Sequence, residues 1–171
     1  LKHPRVFILS LNKHYYRSNK NLVNLVSNII GKNQEVFQGA LDSLNELEMN
    51  YQTANLLLDL ARIKFKFRNS DIFNLVNSLD TKDLQTRESI TASLILIGKG
   101  RPDDVVPVIL ALYDGSSDQF KNGAMDILSA ILASHPNLEY DVLPKIIESL
   151  ETSSSMNYEM VSVILKRLLK V

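Results

Sequence analysis

"VVPVILALYDGSSDQFKNGAMDILSAIL", residues 105–132, decides how the rest of the chain is read. Apolar residues on both sides of DGSSD recur at spacings of three and four, the period of an α-helix and not of a strand. Asp114, Gly115 and the serines stop one helix and cap the next. A connection this short obliges the two helices to lie antiparallel.

Working outward, the same period predicts helices near 5–17, 20–30, 34–48, 51–67, 71–79, 84–97, 103–113, 118–134, 141–150 and 157–170. Breaks are expected at GKN (31–33), RNSD (68–71), GKGRPDD (98–104), DGSSD (114–118), SHPN (134–137) and ETSSS (151–155), where Gly, Pro, Ser and Asp end or cap helices. The helical pairs recur. VVPVILALYD at 105–114 matches VLPKIIESLE at 142–151, with Pro107 and Pro144 separated by 37, and Ile127, Leu128, Ile131 and Leu132 fall on Ile164, Leu165, Leu168 and Leu169. A step of 34 carries Asp114 to Asp80, Lys121 to Arg87 and Leu128 to Leu94, and a further 35 carries Leu79 to Leu44. Two helices in every 34 to 37 residues mark an α-solenoid, whose units bury their apolar faces only by stacking.

The opening stretch resembles a HEAT repeat: a proline in the first helix, an Asp at the turn, then a hydrophobic, a basic and a small residue leading the second helix, here Pro107, Asp114, Phe120, Lys121 and Ala124. The preceding unit keeps Asp80 and Arg87, whereas Glu151 and Tyr158, or Asn45 and Gln52, stand at those places elsewhere. The resemblance covers roughly residues 34–171. It implies an all-α superhelix of four helix-pair repeats near 34–67, 71–97, 103–134 and 141–170, behind N-terminal helices within 5–30. It also implies a structural link between neighbouring turns through the Asp80/Arg87 and Asp114/Lys121 pairs. The armadillo relatives use a Trp and Asn ladder, and this chain has no Trp.

With 171 residues, 45% hydrophobic and 22% charged, the composition is that of an ordinary globular chain. Lys plus Arg equals Asp plus Glu at 19 each, so net charge offers no long-range pull toward nucleic acid. The balance is uneven, however: residues 1–70 hold ten basic and five acidic side chains, and residues 71–171 hold nine and fourteen. Cysteine is absent, which excludes disulfides and thiolate chemistry, and there is no Asn-x-Ser/Thr acceptor. The apolar stretch Val6 to Leu11 is too short to span a membrane. A reducing, intracellular and cytoplasmic setting is expected. The start at Leu1 and the amphipathic end VSVILKRLLKV are those expected of a piece of a longer protein.

RIKFKFR, residues 62–68, alternates charge and bulk as an exposed strand or a nucleic-acid patch would. On a helix over 51–67 the alternation dissolves. At about 100° per residue, Ile63 and Phe67 join Leu56 and Leu60 in one stripe, Leu58, Ala61 and Phe65 form a second, and Asp59, Arg62 and Lys66 share a third sector. The helical reading is the expectation. A strand over 60–68 would instead place Arg62, Lys64, Lys66 and Arg68 on one face.

Residues that bring chemistry are sparse. His3, His14 and His135 form no ligand-spaced pair, and His135 before Pro136 suits a helix end. GKG at 98–100 lacks the rest of a phosphate loop and is explained by a helix C-cap. Asp103 and Asp104 open a helix, where the dipole favours them, and Ser153 to Ser155 form a polar linker. No nucleophile motif, cofactor motif or clustered acid argues for an enzyme, including the HEAT-like lyases and glycosylases. The least bland segment is RVFILSLNKHYYRSNK, 5–20, apolar all round and then presenting His14, Tyr15, Tyr16, Arg17 and Lys20. Either an upstream repeat, a partner or the domain itself covers it. The expected function is a non-enzymatic scaffold or adaptor that binds a protein, an acidic peptide or a subunit of a larger complex. Its candidate contacts are Tyr15, Tyr16, Arg17 and Lys20, then Arg62 and Lys66. A nucleic-acid-binding module with a basic N-terminal half is the alternative.

Overall fold

The computed structural model describes residues 3–15, 20–45, 47–113, 116–138 and 144. The expected helices over 141–150 and 157–170, and with them the fourth repeat, lie outside these residues. Among the described residues all regular structure is helical, with no strand. Helix α1 spans Pro4–Lys13 and α2 spans Lys20–Leu25. A π turn (Val26–Ile30) and a 3-10 turn (Gly31–Asn33) lead into α3, Gln34–Asn45. There follow α4 (Tyr51–Arg62), α5 (Asn69–Asn77) with a 3-10 turn at Ser78–Asp80, α6 (Leu84–Gly100), α7 (Pro102–Tyr113), α8 (Asp118–Leu132) and a 3-10 turn at Pro136–Leu138.

The starts of α4, α6 and α8 follow from single polar side chains. Asn50, Asp83 and Ser117 each accept a hydrogen bond from the backbone N–H three residues on, at 3.0, 3.0 and 3.2 Å, capping α4, α6 and α8. These caps stand 33 and 34 residues apart. The starts of α5 and α7 share a different device. Arg68 precedes α5 and pairs with Asp71, and Arg101 precedes α7 and pairs with Asp104.

Helix α1 ends at Lys13, short of the expected 17, and α3 at Asn45, short of 48; three further boundaries differ for reasons the structure shows. GKN does not break the helix: Gly31 keeps right-handed helical angles (φ −57°, ψ −36°), so 20–45 is one continuous helical run. Helix α6 runs through Gly98 to Gly100. Gly98 is not a cap; a Cβ there would overlap the Ile131 side chain, so its bareness lets α6 and α8 approach closely. Helix α4 stops at Arg62, five residues before the expected end, and the alternation in RIKFKFR is real. Lys64 takes φ +57°, Lys64 N–H donates to the Ala61 carbonyl (3.0 Å) and Phe65 N–H to the Leu60 carbonyl (3.0 Å). That is a Schellman C-cap with lysine where glycine usually sits. Beyond it, Phe65 and Phe67 are buried edge to face while Lys64 and Lys66 are exposed. The proposed stripe of Ile63 and Phe67 with Leu56 and Leu60 therefore does not form.

From α5 onward each helix packs on its chain neighbour, and most helices pack on the one two further along: α6 lies between α4 and α8, α7 beside α5, α5 beside α3, and α1 on α3. Leu56 and Leu60, Ile90 and Leu94, and Ala124, Leu128 and Ile131 fill these seams. Each fully buried Leu or Ile contributes about 1.5–3 kcal/mol. Helix α4 is buried along nine successive residues, Thr53 to Ala61. Its polar members need internal partners. Thr53 accepts from Asn12 Nδ2 (3.0 Å), Asn55 donates to the Tyr51 carbonyl (2.8 Å), and Asp59 accepts from Tyr15 Oη (2.6 Å) and Arg62 (2.8 Å).

That network corrects the reading of α1. Ile8, Leu11 and Tyr15 are buried and Phe7 packs on Phe37, with ring centroids 5.6 Å apart, so the domain itself covers most of the helix. Val6, 63% exposed, is the outward exception.

Candidate binding site

The sequence-predicted contacts do not converge. Tyr15 is 1% exposed with its hydroxyl on Asp59, so it cannot meet a partner; an aromatic ring carrying one polar tip is suited to such burial when a carboxylate waits for the tip. Tyr16 and Arg17 lie outside the described residues, as does the Lys20 side chain. Arg62 is held by Asp59 in a groove of about 280 Å³ between α4 and α6 that Glu88 also lines. Lys66, expected beside Arg62 on one helix sector, lines a different hollow because α4 has already ended.

The turn pairs also have other partners. Asp80 accepts from the Ser117 hydroxyl of the next turn, and Arg87 donates to the Thr81 carbonyl at 3.1 Å. Asp114 lies outside the described residues, and Lys121 sits 5.9 Å over the Tyr113 ring. A link that the sequence reading missed runs along the opposite edge. Arg101 donates to the Phe67 carbonyl just before Arg68, and His135 Nε2 donates to the Lys99 carbonyl (2.9 Å) just before Arg101. Arg101 and His135 are 34 residues apart and bond carbonyls 34 and 36 residues back, so two successive turns are tied to the one before at corresponding places, while Arg68 reaches back to the Asp42 side chain.

Beside that edge lies a hollow of about 440 Å³, between the end of α4 and the end of α6. Ala61, Phe65 and Ile97, all buried, form its floor, and Leu96, 40% exposed, forms a wall. Lys64, Lys66, Lys99 and Arg101 stand around it, and no acidic residue lines it. Arg101 is engaged with Asp104 at 2.5 Å. Among the described residues, the ammonium groups of Lys64, Lys66 and Lys99 have no ion-pair or hydrogen-bond partner. One period of the repeat separates 61–66 from 96–101, so the sequence did carry a signal for this meeting.

Neighbouring cations are otherwise occupied. Arg68 bonds Asp71 (3.0 Å) and Asp42, and Asp71 also accepts from the Arg68 backbone N–H (2.8 Å) and from Gln38 (3.1 Å). These bonds, Asp71 first and then Asp42, raise the Arg68 guanidinium above its ordinary range, and the Arg68 bond lowers the Asp42 carboxyl. A third groove, of about 310 Å³ between α6 and α8, is lined by Glu88 and Asp126, and burial raises the Asp126 carboxyl. Among the described residues no three His, Asp or Glu side chains are placed to hold a metal ion, and no helix is long and apolar enough to cross a membrane. Comparison with family models, curated proteins and solved structures found no match to this chain.

Proposed function

We propose that the chain is a non-enzymatic helical-repeat scaffold, an α-solenoid of the HEAT kind, that captures a protein partner at the cationic hollow between α4 and α6. Support for the solenoid comes from the packing of α3 on α5, α4 on α6, α5 on α7 and α6 on α8, and from the matching ties of Arg101 to Phe67 and His135 to Lys99. The observation that carries the binding reading is the hollow itself. Three lysines without carboxylate partners surround an apolar floor, whereas Arg62, Arg68 and Arg101 close by are each paired with an Asp. Cations left in water at a rim are available to steer and hold an anionic partner.

The immobilised chain should therefore retain a protein from its source cells in a nuclease-resistant manner. The purified protein should bind again in isolation, and more weakly to a chain with Lys64, Lys66 and Lys99 all changed to Glu. Retention only of nucleic acid, lost on nuclease treatment, would overturn the reading in favour of a nucleic-acid module.

A further inference from the structure

We infer that the hollow between the ends of α4 and α6 receives a short acidic segment of a partner protein, one bulky apolar side chain entering it while flanking carboxylates meet Lys64, Lys66 and Lys99. The inference rests on the scaffold reading above and names what the partner brings. Its apolar half follows from the floor. Ala61, Phe65 and Ile97 offer no polar side-chain atom to a phosphate, a sugar or a base edge, and Leu96 adds an exposed apolar wall. A volume of about 440 Å³ lies in the range of built ligand sites, roughly 300–1,000 Å³. Its acidic half follows from the lining, which includes Lys64, Lys66 and Lys99 and no acidic residue.

Lys64 adds an independent observation. At φ +57° a glycine would be comfortable and a side chain is strained. A cation at a helix C-terminus gains a little from the dipole, but a lysine anywhere in the last turn would supply that; here it occupies the one left-handed position, and the same residue lines the hollow. Charge distribution decides against nucleic acid. Strands are gripped by rows of cations that follow many phosphates, about six to ten in strong binders. Here the row is interrupted: Arg62 faces another groove with Asp59, and Arg68 is closed by Asp42 and Asp71. In this region Lys64, Lys66 and Lys99 are left around one hollow, which fits one anchor with a short acidic flank.

Fluorescence anisotropy tests this with a short peptide of Asp and Glu around a central Phe, the same peptide with Ser for Phe, and an oligothymidylate. The Phe peptide should bind, more weakly as salt rises. Affinity should fall on the order of tenfold when Phe becomes Ser, and similarly for the variant carrying K64E, K66E and K99E. Lys64→Gly, which keeps the left-handed turn, should lose about twofold while remaining folded in a urea unfolding curve run beside it. Equal binding of the two peptides, an unchanged affinity in the triple variant, or tighter binding of the oligothymidylate would each overturn the assignment. If it falls while the immobilised chain still captures a protein partner, the scaffold reading survives it; if capture fails too, both fall.

Discussion

At the start of α5, Arg68 is enclosed by Asp71 and Asp42; four residues earlier, Lys64 stands exposed with no carboxylate on its ammonium. The two side chains carry the same charge and are near neighbours in sequence, but the fold treats them differently. A guanidinium is a planar fork that can bridge two carboxylates, so Arg68 joins α3 to α5, and Arg101 reaches both Asp104 and the Phe67 carbonyl. A lysine on a flexible stem makes a poor brace and a good rim. What separates structural from available charge in this region is therefore the presence of a partner, which charge counts along the chain do not reveal.

That contrast breaks most easily at Asp71. Its carboxylate is buried and accepts from Gln38 and from both the backbone and the side chain of Arg68, so Asp71→Ala strips the Arg68 corner of its centre and should destabilise the chain by about 3 kcal/mol in urea unfolding. Lys66→Ala, on an exposed side chain without a partner, should stay within about 0.5 kcal/mol. A large loss at Lys66 or a small one at Asp71 would erase the distinction between corner and rim.

Tyr15 belongs with the corner. Removing only its hydroxyl, Tyr15→Phe, keeps the ring packed but takes one of two side-chain donors from the buried Asp59. The expected loss is about 1.5 kcal/mol, with no change in peptide affinity at the hollow. Altered affinity would restore Tyr15 to the binding surface where its sequence context first placed it.

These cases also explain what could be read in advance. The extents of α7 and α8, and the start of α6, were legible because Asp83, Pro102 and Ser117 act locally, through caps and a fixed φ. The end of α4 was not, since its C-cap carries Lys64 where the recognisable signal is glycine. GKN misled for the complementary reason: Gly31 permits a break but does not demand one, and the helix continues beneath Ile63. Burial of Tyr15 depended on Asp59, 44 residues away, which helical periodicity does not contain. The hollow lay between these extremes. A period of about 34 residues already put Lys66 beside Lys99, but treating 62–68 as helix sent Lys66 to the wrong face.

Lys64→Gly sharpens the comparison from the opposite side. Relief of the left-handed lysine should stabilise the chain by about 1 kcal/mol while the acidic Phe peptide binds more weakly. A gain in stability together with a loss in affinity is the behaviour expected of a side chain that serves a ligand and not the fold. Loss of both would mean that the ammonium braces the turn.

The smallest effects concern two carboxylates that titrate in opposite senses. Asp42 is lowered by its bond to Arg68, so the stability it adds is present above the ordinary carboxylate range and is lost as pH falls through its folded value. Asp126 is raised by burial in the groove between α6 and α8; its contribution is present at low pH and disappears as pH rises through its folded value. Melting temperatures across the acid range should therefore show Asp42→Asn below the parent at neutral pH, with the gap closing on acidification. Asp126→Asn should instead lie above the parent at neutral pH, and its advantage should shrink on acidification. Parallel curves for the two variants would mean that the Arg68 corner and the open groove are electrostatically alike, and the contrast between enclosed and exposed charge would then reduce to hydrogen bonding alone.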